Sequence, residues 1–172
     1  MFRQIRLITA GLLLIVGCAP GTTGPGGTVR GWDKTMTKAQ ALARVEQLIQ
    51  EFAVVITPEA KLELYQPSLT DDPCLDPTDG GPENRIIVSR SYFVRNIPKG
   101  QAKQIADRMK AYWEQHGHIV AGVSTNGTVI TGRTRPDDFL VALSWTDSDV
   151  PILDAASPCI WPFGTPEPSP SV

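Results

Sequence analysis

From His118 onward the apolar pattern of the chain switches to a period of two, in four short runs at residues 118–124, 128–135, 139–146 and 150–154. The runs are separated by Asn126-Gly127, by Pro136-Asp137-Asp138 and by Asp147-Ser148-Asp149, each a tight-turn signal. Connections this short cannot carry a crossover, so consecutive strands must lie antiparallel. An antiparallel sheet has a face to bury, and something upstream in the chain must supply its cover.

That cover is read from two segments of helical period. Thr37, followed three residues later by Gln40, predicts a capping box. Leu42, Val45, Leu48, Ile49, Phe52 and Ile56 then recur at helical spacing, and Pro58 ends the pattern unless the β-branched run Val54-Val55-Ile56 ends it sooner. In the second segment Ala102, Ile105, Ala106, Met109, Tyr112 and Trp113 form an apolar stripe, with Gly117 suited to the left-handed position after the helix end. Between the helices, residues 61–65 alternate like a short half-exposed strand, and residues 66–84 read as a long irregular loop rich in proline and aspartate. Residues 85–94 are dense in β-formers and predict a central strand, although Arg90 sits between Val88 and Tyr92 on one of its faces. The predicted order is α-β-β-α-β-β-β-β. The fold class is α+β, an antiparallel sheet of five to six strands with both amphipathic helices on one face and Phe52, Tyr112, Trp113, Phe139 and Trp145 in the core.

The first seventeen residues have the layout of a signal peptide: Arg3 and Arg6, an apolar stretch over residues 7–16, and the small residue Gly17. The apolar stretch is broken by Thr9 and Gly11 and falls short of the roughly 20 residues that cross a bilayer core. Ile15-Val16-Gly17-Cys18 resembles the bacterial lipobox. The resemblance implies that the Cys18 thiol carries diacylglycerol, with palmitate among its acyl chains, and that Cys18 becomes the mature N-terminus on the extracytoplasmic face of the cell membrane. The alternative is an ordinary secreted protein in which Cys18 is incidental. The expected organisation is a lipoprotein signal peptide at 1–17, a lipidated flexible tether at 18–35, a single α+β domain at 36–164 and a disordered proline-rich tail at 165–172.

Export alters the reading of charge and of cysteine. With 16 basic and 18 acidic residues the chain carries a formal net charge of -2, and loss of Arg3 and Arg6 makes the mature chain more acidic still. It therefore offers no electrostatic basis for a nucleic-acid partner. Once Cys18 is lipidated, Cys74 and Cys159 remain in an oxidising compartment, where they are expected to pair. The alternatives are free thiols or thiols on a metal, but no CxxC or nearby Cys/His spacing supports zinc.

The chain lacks GxSxG, SxxK, HExxH and a glycine-rich phosphate loop, so no catalytic residue is assigned. His116 and His118 are close in sequence, but one falls in the last helical turn and the other opens a strand, with no third ligand placed beside them. Asp71, Asp72, Asp76 and Asp79 match a calcium loop in composition and not in spacing. No metal or cofactor is assigned. Trp161 and Phe163, in the apolar segment Ser157-Pro158-Cys159-Ile160-Trp161-Pro162-Phe163, either cover the sheet edge or form an exposed patch for a partner.

The lipobox, Pro73-Cys74 with Gly80-Gly81-Pro82 after it, SRSYFV at 89–94, AYWEQHG at 111–117 and SPCIWP at 157–162 together resemble small actinobacterial lipoproteins of the LppA-like mycobacterial group. The resemblance implies a disulfide-stapled α+β surface domain of no established activity, and it supplies no catalytic residues. The functional expectation is a lipid-anchored envelope protein whose domain binds an envelope protein or a cell-wall or lipid ligand. The alternatives are an extracytoplasmic hydrolase with an unrecognised site and a passive structural surface protein.

Overall fold

The computed structural model describes residues 34–75 and 81–166. The expected signal peptide, Cys18, nearly all of the tether, Asp76, Asp79 and residues 167–172 of the tail lie outside the described residues.

Helix α1 spans Lys38–Ile56. Its start is set by the capping box: the Gln40 backbone N–H donates to Thr37 Oγ1 at 3.3 Å, and the Thr37 N–H donates to the Gln40 side-chain oxygen at 2.9 Å. The β-branched Val54-Val55-Ile56 stays helical, and Thr57 caps the end immediately before Pro58. Packing outweighs propensity there, because Ile56 is buried with Phe52 and Ala53 against the rest of the core. Helix α2 spans Ala102–Gln115. Beyond it, Gly117 takes φ 76°, the left-handed geometry expected after a helix end.

The strands are β1 (Lys61–Leu64), β2 (Asp72–Pro73), β3 (Ile86–Ile87), β4 (Ser89–Arg95), β5 (Ile119–Val123), β6 (Ile130–Arg133), β7 (Leu140–Trp145) and β8 (Pro151–Ala156). Six of them form one antiparallel sheet in the order β1-β4-β8-β7-β6-β5. The fold is therefore α+β, with the elements of the main sheet in the expected order. The loop over residues 66–84 is less irregular than expected, since it holds a 3-10 turn at Gln66–Leu69 and the strand β2, which pairs with β3.

The segment expected to be one central strand differs in two ways. It splits at Val88 into β3 and β4, and β4 lies next to the edge strand β1, leaving β8 and β7 in the middle. Strand β8 buries Pro151, Leu153 and Ala155 on the helix side, whereas β4 carries Arg90 on that side, its guanidinium donating to the Ser68 and Ser89 carbonyls at 3.1 and 2.6 Å. The Glu46 carboxylate of α1 lies 3.8 Å from the guanidinium and accepts from the Tyr92 hydroxyl at 2.9 Å. Burial and this hydrogen bond push the Tyr92 phenol up to about 12. At the split, the Val88 N–H donates to Ser157 Oγ at 3.0 Å, and the Ser157 N–H donates to the Val88 carbonyl at 2.9 Å.

The core lies between the sheet and the two helices. Phe52 of α1 meets Trp113 and Tyr112 of α2 edge-on, at centroid distances of 5.6 and 6.2 Å. Phe52, Trp113 and Phe139 are fully buried, while Tyr112 and Trp145 are partly buried at its margin. Gly132 of β6 lets Trp113 approach the sheet, for a Cβ there would stand 2.9 Å from the indole ring and 2.7 Å from the Ile119 carbonyl oxygen.

Candidate functional site

One end of the molecule gathers most of its unusual surface. In the sheet this end is the row of cross-strand partners Ser89, Ala156, Leu140, Arg133 and Ile119. Helix α1 starts there, because Ala41 packs with Val88 and Ile160 in a small second core. The chain also enters the domain there. The Thr35 N–H donates to the Gly164 carbonyl at 2.8 Å, and the Lys38 N–H donates to the Pro162 carbonyl at 3.0 Å.

Three distant segments are fastened together at this end. Cys74 and Cys159 form a disulfide with their Cα atoms 5.6 Å apart, and the Cys74 N–H donates to the Arg85 carbonyl at 2.9 Å. Ile86 and Ile160 exchange two backbone hydrogen bonds, each 2.9 Å long. The Trp161 N–H donates to Thr35 Oγ1 at 2.9 Å. The Gly164 N–H donates to the Trp161 carbonyl at 2.9 Å, and the turn this closes over Pro162-Phe163 divides the apolar segment near the chain end. Trp161 is 5% exposed and Phe163 is 76% exposed. The sequence posed cover and exposed patch as alternatives, and the structure assigns one residue to each.

Phe163 overhangs a groove of about 720 Å³ between the first turns of α1 and strand β3. Leu42, Ile86 and Pro162 give it apolar walls, and Ala39 lies on its rim. Its charged residues are Lys38 and Asp71, paired at 2.5 Å. The second oxygen of Asp71, Oδ1, is buried with no hydrogen-bond partner among the described residues. Such a groove suits an apolar group. On the sheet side of β3 lies a smaller hollow of about 260 Å³, lined by Ile87, Leu140, Ala156 and Cys159. Arg133 and Asp138 border it at 3.1 Å from each other, and Arg135 binds the other oxygen of the same carboxylate.

The other residues singled out from the sequence do not converge. The His116 ring stacks on Tyr112 at 3.9 Å, with Nδ1 2.8 Å from the Tyr112 carbonyl oxygen. His118 Nδ1 accepts from the Arg135 backbone N–H at 3.1 Å, which requires a lone pair on that nitrogen, and burial lowers its pKa. Asp71 faces Lys38, and Asp72 belongs to β2. Among the described residues no three His, Cys, Asp or Glu side chains come together as a metal site needs. Leu42, Ile86 and Ala39 had no sequence signal as site residues, and only the apolar run ending at Phe163 pointed toward the groove.

On the sheet face away from the helices, Asp154 of β8 accepts a hydrogen bond from the Ser91 hydroxyl of β4. Burial holds its carboxyl above the ordinary value of 3.8, against the lowering effect of that bond. A carboxyl raised in the folded state destabilises the fold while ionised, so the cost is full above the folded pKa and vanishes below 3.8. The expected result is that acidification through this window stabilises the wild-type chain relative to Asp154→Asn. Melting temperatures of both proteins between neutral pH and the acid limit check it, and a constant difference would contradict it.

No family model, curated protein or solved structure matches the chain.

Proposed function

We propose that the chain is a bacterial cell-envelope lipoprotein, anchored through a lipid on Cys18 to the extracytoplasmic face of the cell membrane, and that its α+β domain binds another envelope component. The observation that carries the binding role is the apolar groove under Phe163, which opens where the chain enters the domain. Three features support the anchor: the signal-peptide layout, the lipobox-like Ile15-Val16-Gly17-Cys18, and a disulfide of the kind that persists in an oxidising compartment. The resemblance to LppA-like lipoproteins agrees with the anchor. Nothing in the charge balance favours nucleic acid, and the proposed partner is an envelope protein, a cell-wall ligand or a lipid.

Photo-crosslinking in intact membranes tests the reading, with the wild-type chain compared with Ala39→Arg. Ala39 is exposed on the groove rim, so arginine obstructs the groove without entering the core. A recurrent adduct on the wild type that is lost in the variant supports the groove as the binding site. An unchanged adduct pattern removes it.

A further inference from the structure

We propose that His118 is an acid-sensitive latch on the turn between β6 and β7. Neutral, its ring holds the turn through the Arg135 backbone; protonated, it releases the turn and faces the carboxylates beside it. The first support is the geometry of the neutral state. His118 stands in the link between α2 and β5, and its ring meets Phe52 of α1 edge-on at 6.1 Å. Its Nδ1 accepts the Arg135 backbone N–H at 3.1 Å, across 17 positions of sequence. In a neutral ring making this bond the proton sits on Nε2, so a second proton can go only to Nδ1. That proton turns the acceptor into a donor aimed at a donor, and the bond is lost.

The second observation is what a charged ring meets. Glu51 and Arg44 of α1, His116 at the end of α2 and Asp137 of the turn all act on it. Glu51 and Asp137 favour the proton, while Arg44 and His116 oppose it. These charges offset one another, and burial, the largest influence, favours the neutral ring. Arg44 and Asp137 are paired with each other at 2.6 Å, and Asp138 of the turn holds both Arg133 and Arg135. Glu51, by contrast, accepts only from the uncharged Tyr112 hydroxyl, at 3.0 Å, among the described residues. A charged His118 therefore has a carboxylate on α1, not neutralised by any cation, toward which to turn.

The third observation is how little else ties the turn sideways. Fully buried Thr134 closes it internally: its N–H donates to the Phe139 carbonyl at 2.9 Å, and its hydroxyl donates to Asp137 at 2.6 Å and accepts the Phe139 N–H at 2.9 Å. Among the described residues, its hydrogen bonds to other elements are Arg44–Asp137 to α1 and Arg135–His118 to the start of β5. Loss of the second leaves the turn its shape and frees it to move at Arg135. The turn carries Asp138, which pairs with Arg133 on the rim of the smaller hollow, so the latch also governs that rim. Because the folded chain favours the neutral ring, the stability that the latch contributes is complete above the ordinary histidine value of 6.5 and is lost progressively as the pH falls below it.

The test follows the backbone amides and the histidine rings of the isotope-labelled full chain by NMR, from about pH 7.5 to about pH 4.5. The expected result is that the exchange protection of the Arg135 amide, corrected for its intrinsic rate, falls several-fold as the His118 ring takes up its proton, while the amides of α2 keep theirs. Glu51→Gln removes the carboxylate and retains an acceptor for Tyr112, so the His118 midpoint should move down. His116→Gln removes a like charge, so the midpoint should move up. His118→Gln presents an oxygen that accepts without titrating, and Arg135 protection should then lose its pH dependence. His118→Phe keeps a ring beside Phe52 without an acceptor, and Arg135 should be poorly protected at every pH. Arg135 protection that stays constant while His118 titrates, a His118 ring that takes no proton over this range, or a midpoint unmoved by Glu51→Gln overturns the inference. Full Arg135 protection in His118→Phe overturns it as well.

Discussion

Reducing the Cys74–Cys159 bridge is expected to lower the thermal midpoint of the domain by on the order of 10 °C. The bridge joins residues 85 positions apart, and the chain-entropy model assigns a closed loop of that size about 4.5 kcal/mol. Set against the roughly 5 to 15 kcal/mol that holds a typical domain together, this is a large share. The loss should be felt unevenly. Residues 66–75 contribute no side chain to the buried core, and they are tied to the domain by short strand β2, the 3-10 turn, the Lys38–Asp71 pair and the bridge. Helix α2 and strands β5 to β7 depend on none of these. Amide exchange in the reduced protein should therefore accelerate first around Cys74, Ile86 and Ile160, with the amides of α2 protected until global unfolding. Thermal melts with and without reductant measure the first effect. Two reactive thiols at Cys74 and Cys159, in protein denatured without reductant, would contradict the pairing directly.

Replacing Cys18 by alanine is expected to abolish lipid attachment altogether and to leave the leader uncleaved. Lipobox-like processing works on the thiol itself, and alanine has no nucleophilic sulfur to alkylate. The membrane consequence follows from acyl-chain burial. Each buried methylene contributes about 0.8 kcal/mol, so two chains hold a protein stably where one gives only marginal binding. No helix among the described residues is long and apolar enough to cross a membrane. Mass spectrometry of the N-terminal peptide from the membrane fraction decides the matter. The wild type should begin at a diacylglycerol-bearing Cys18, and Cys18→Ala should retain residues 1–17 without lipid. An unlipidated wild-type N-terminus at any other position would sink the anchor.

Both helices, the strand order along the chain and the antiparallel meander were legible in the sequence because each depends on local or periodic signals. Thr37 and Gln40 are three residues apart, and their reciprocal bonds form within one turn of helix. Gly117, Asn126-Gly127 and the aspartate turns act over a few residues as well, so the alternating runs they separate could be read as a meander. The disulfide was legible for a simpler reason: with Cys18 set aside, Cys74 had one available partner.

Only the tertiary structure decided where β4 sits, which way Phe163 faces and that a groove exists. Strand β4 pairs with β1 and β8, strands before and after it in the chain, and its Arg90 meets Ser68 and Glu46, contacts between different elements that no period in any one of them records. Trp161 and Phe163 lie two positions apart, a spacing that extended backbone would keep on one face. Their separation into core and surface comes from the turn that the Gly164 N–H closes on the Trp161 carbonyl, in a segment tied by hydrogen bonds to Thr35 and Lys38, more than 120 residues away in the chain. The groove needs α1, the loop before β2, β3 and the segment after β8 at one place at once, and the sheet and the bridge bring them there. Residues close in sequence determined the elements because their interactions are fixed by local geometry. The site is set by long-range packing, which is specified only when the whole chain has folded.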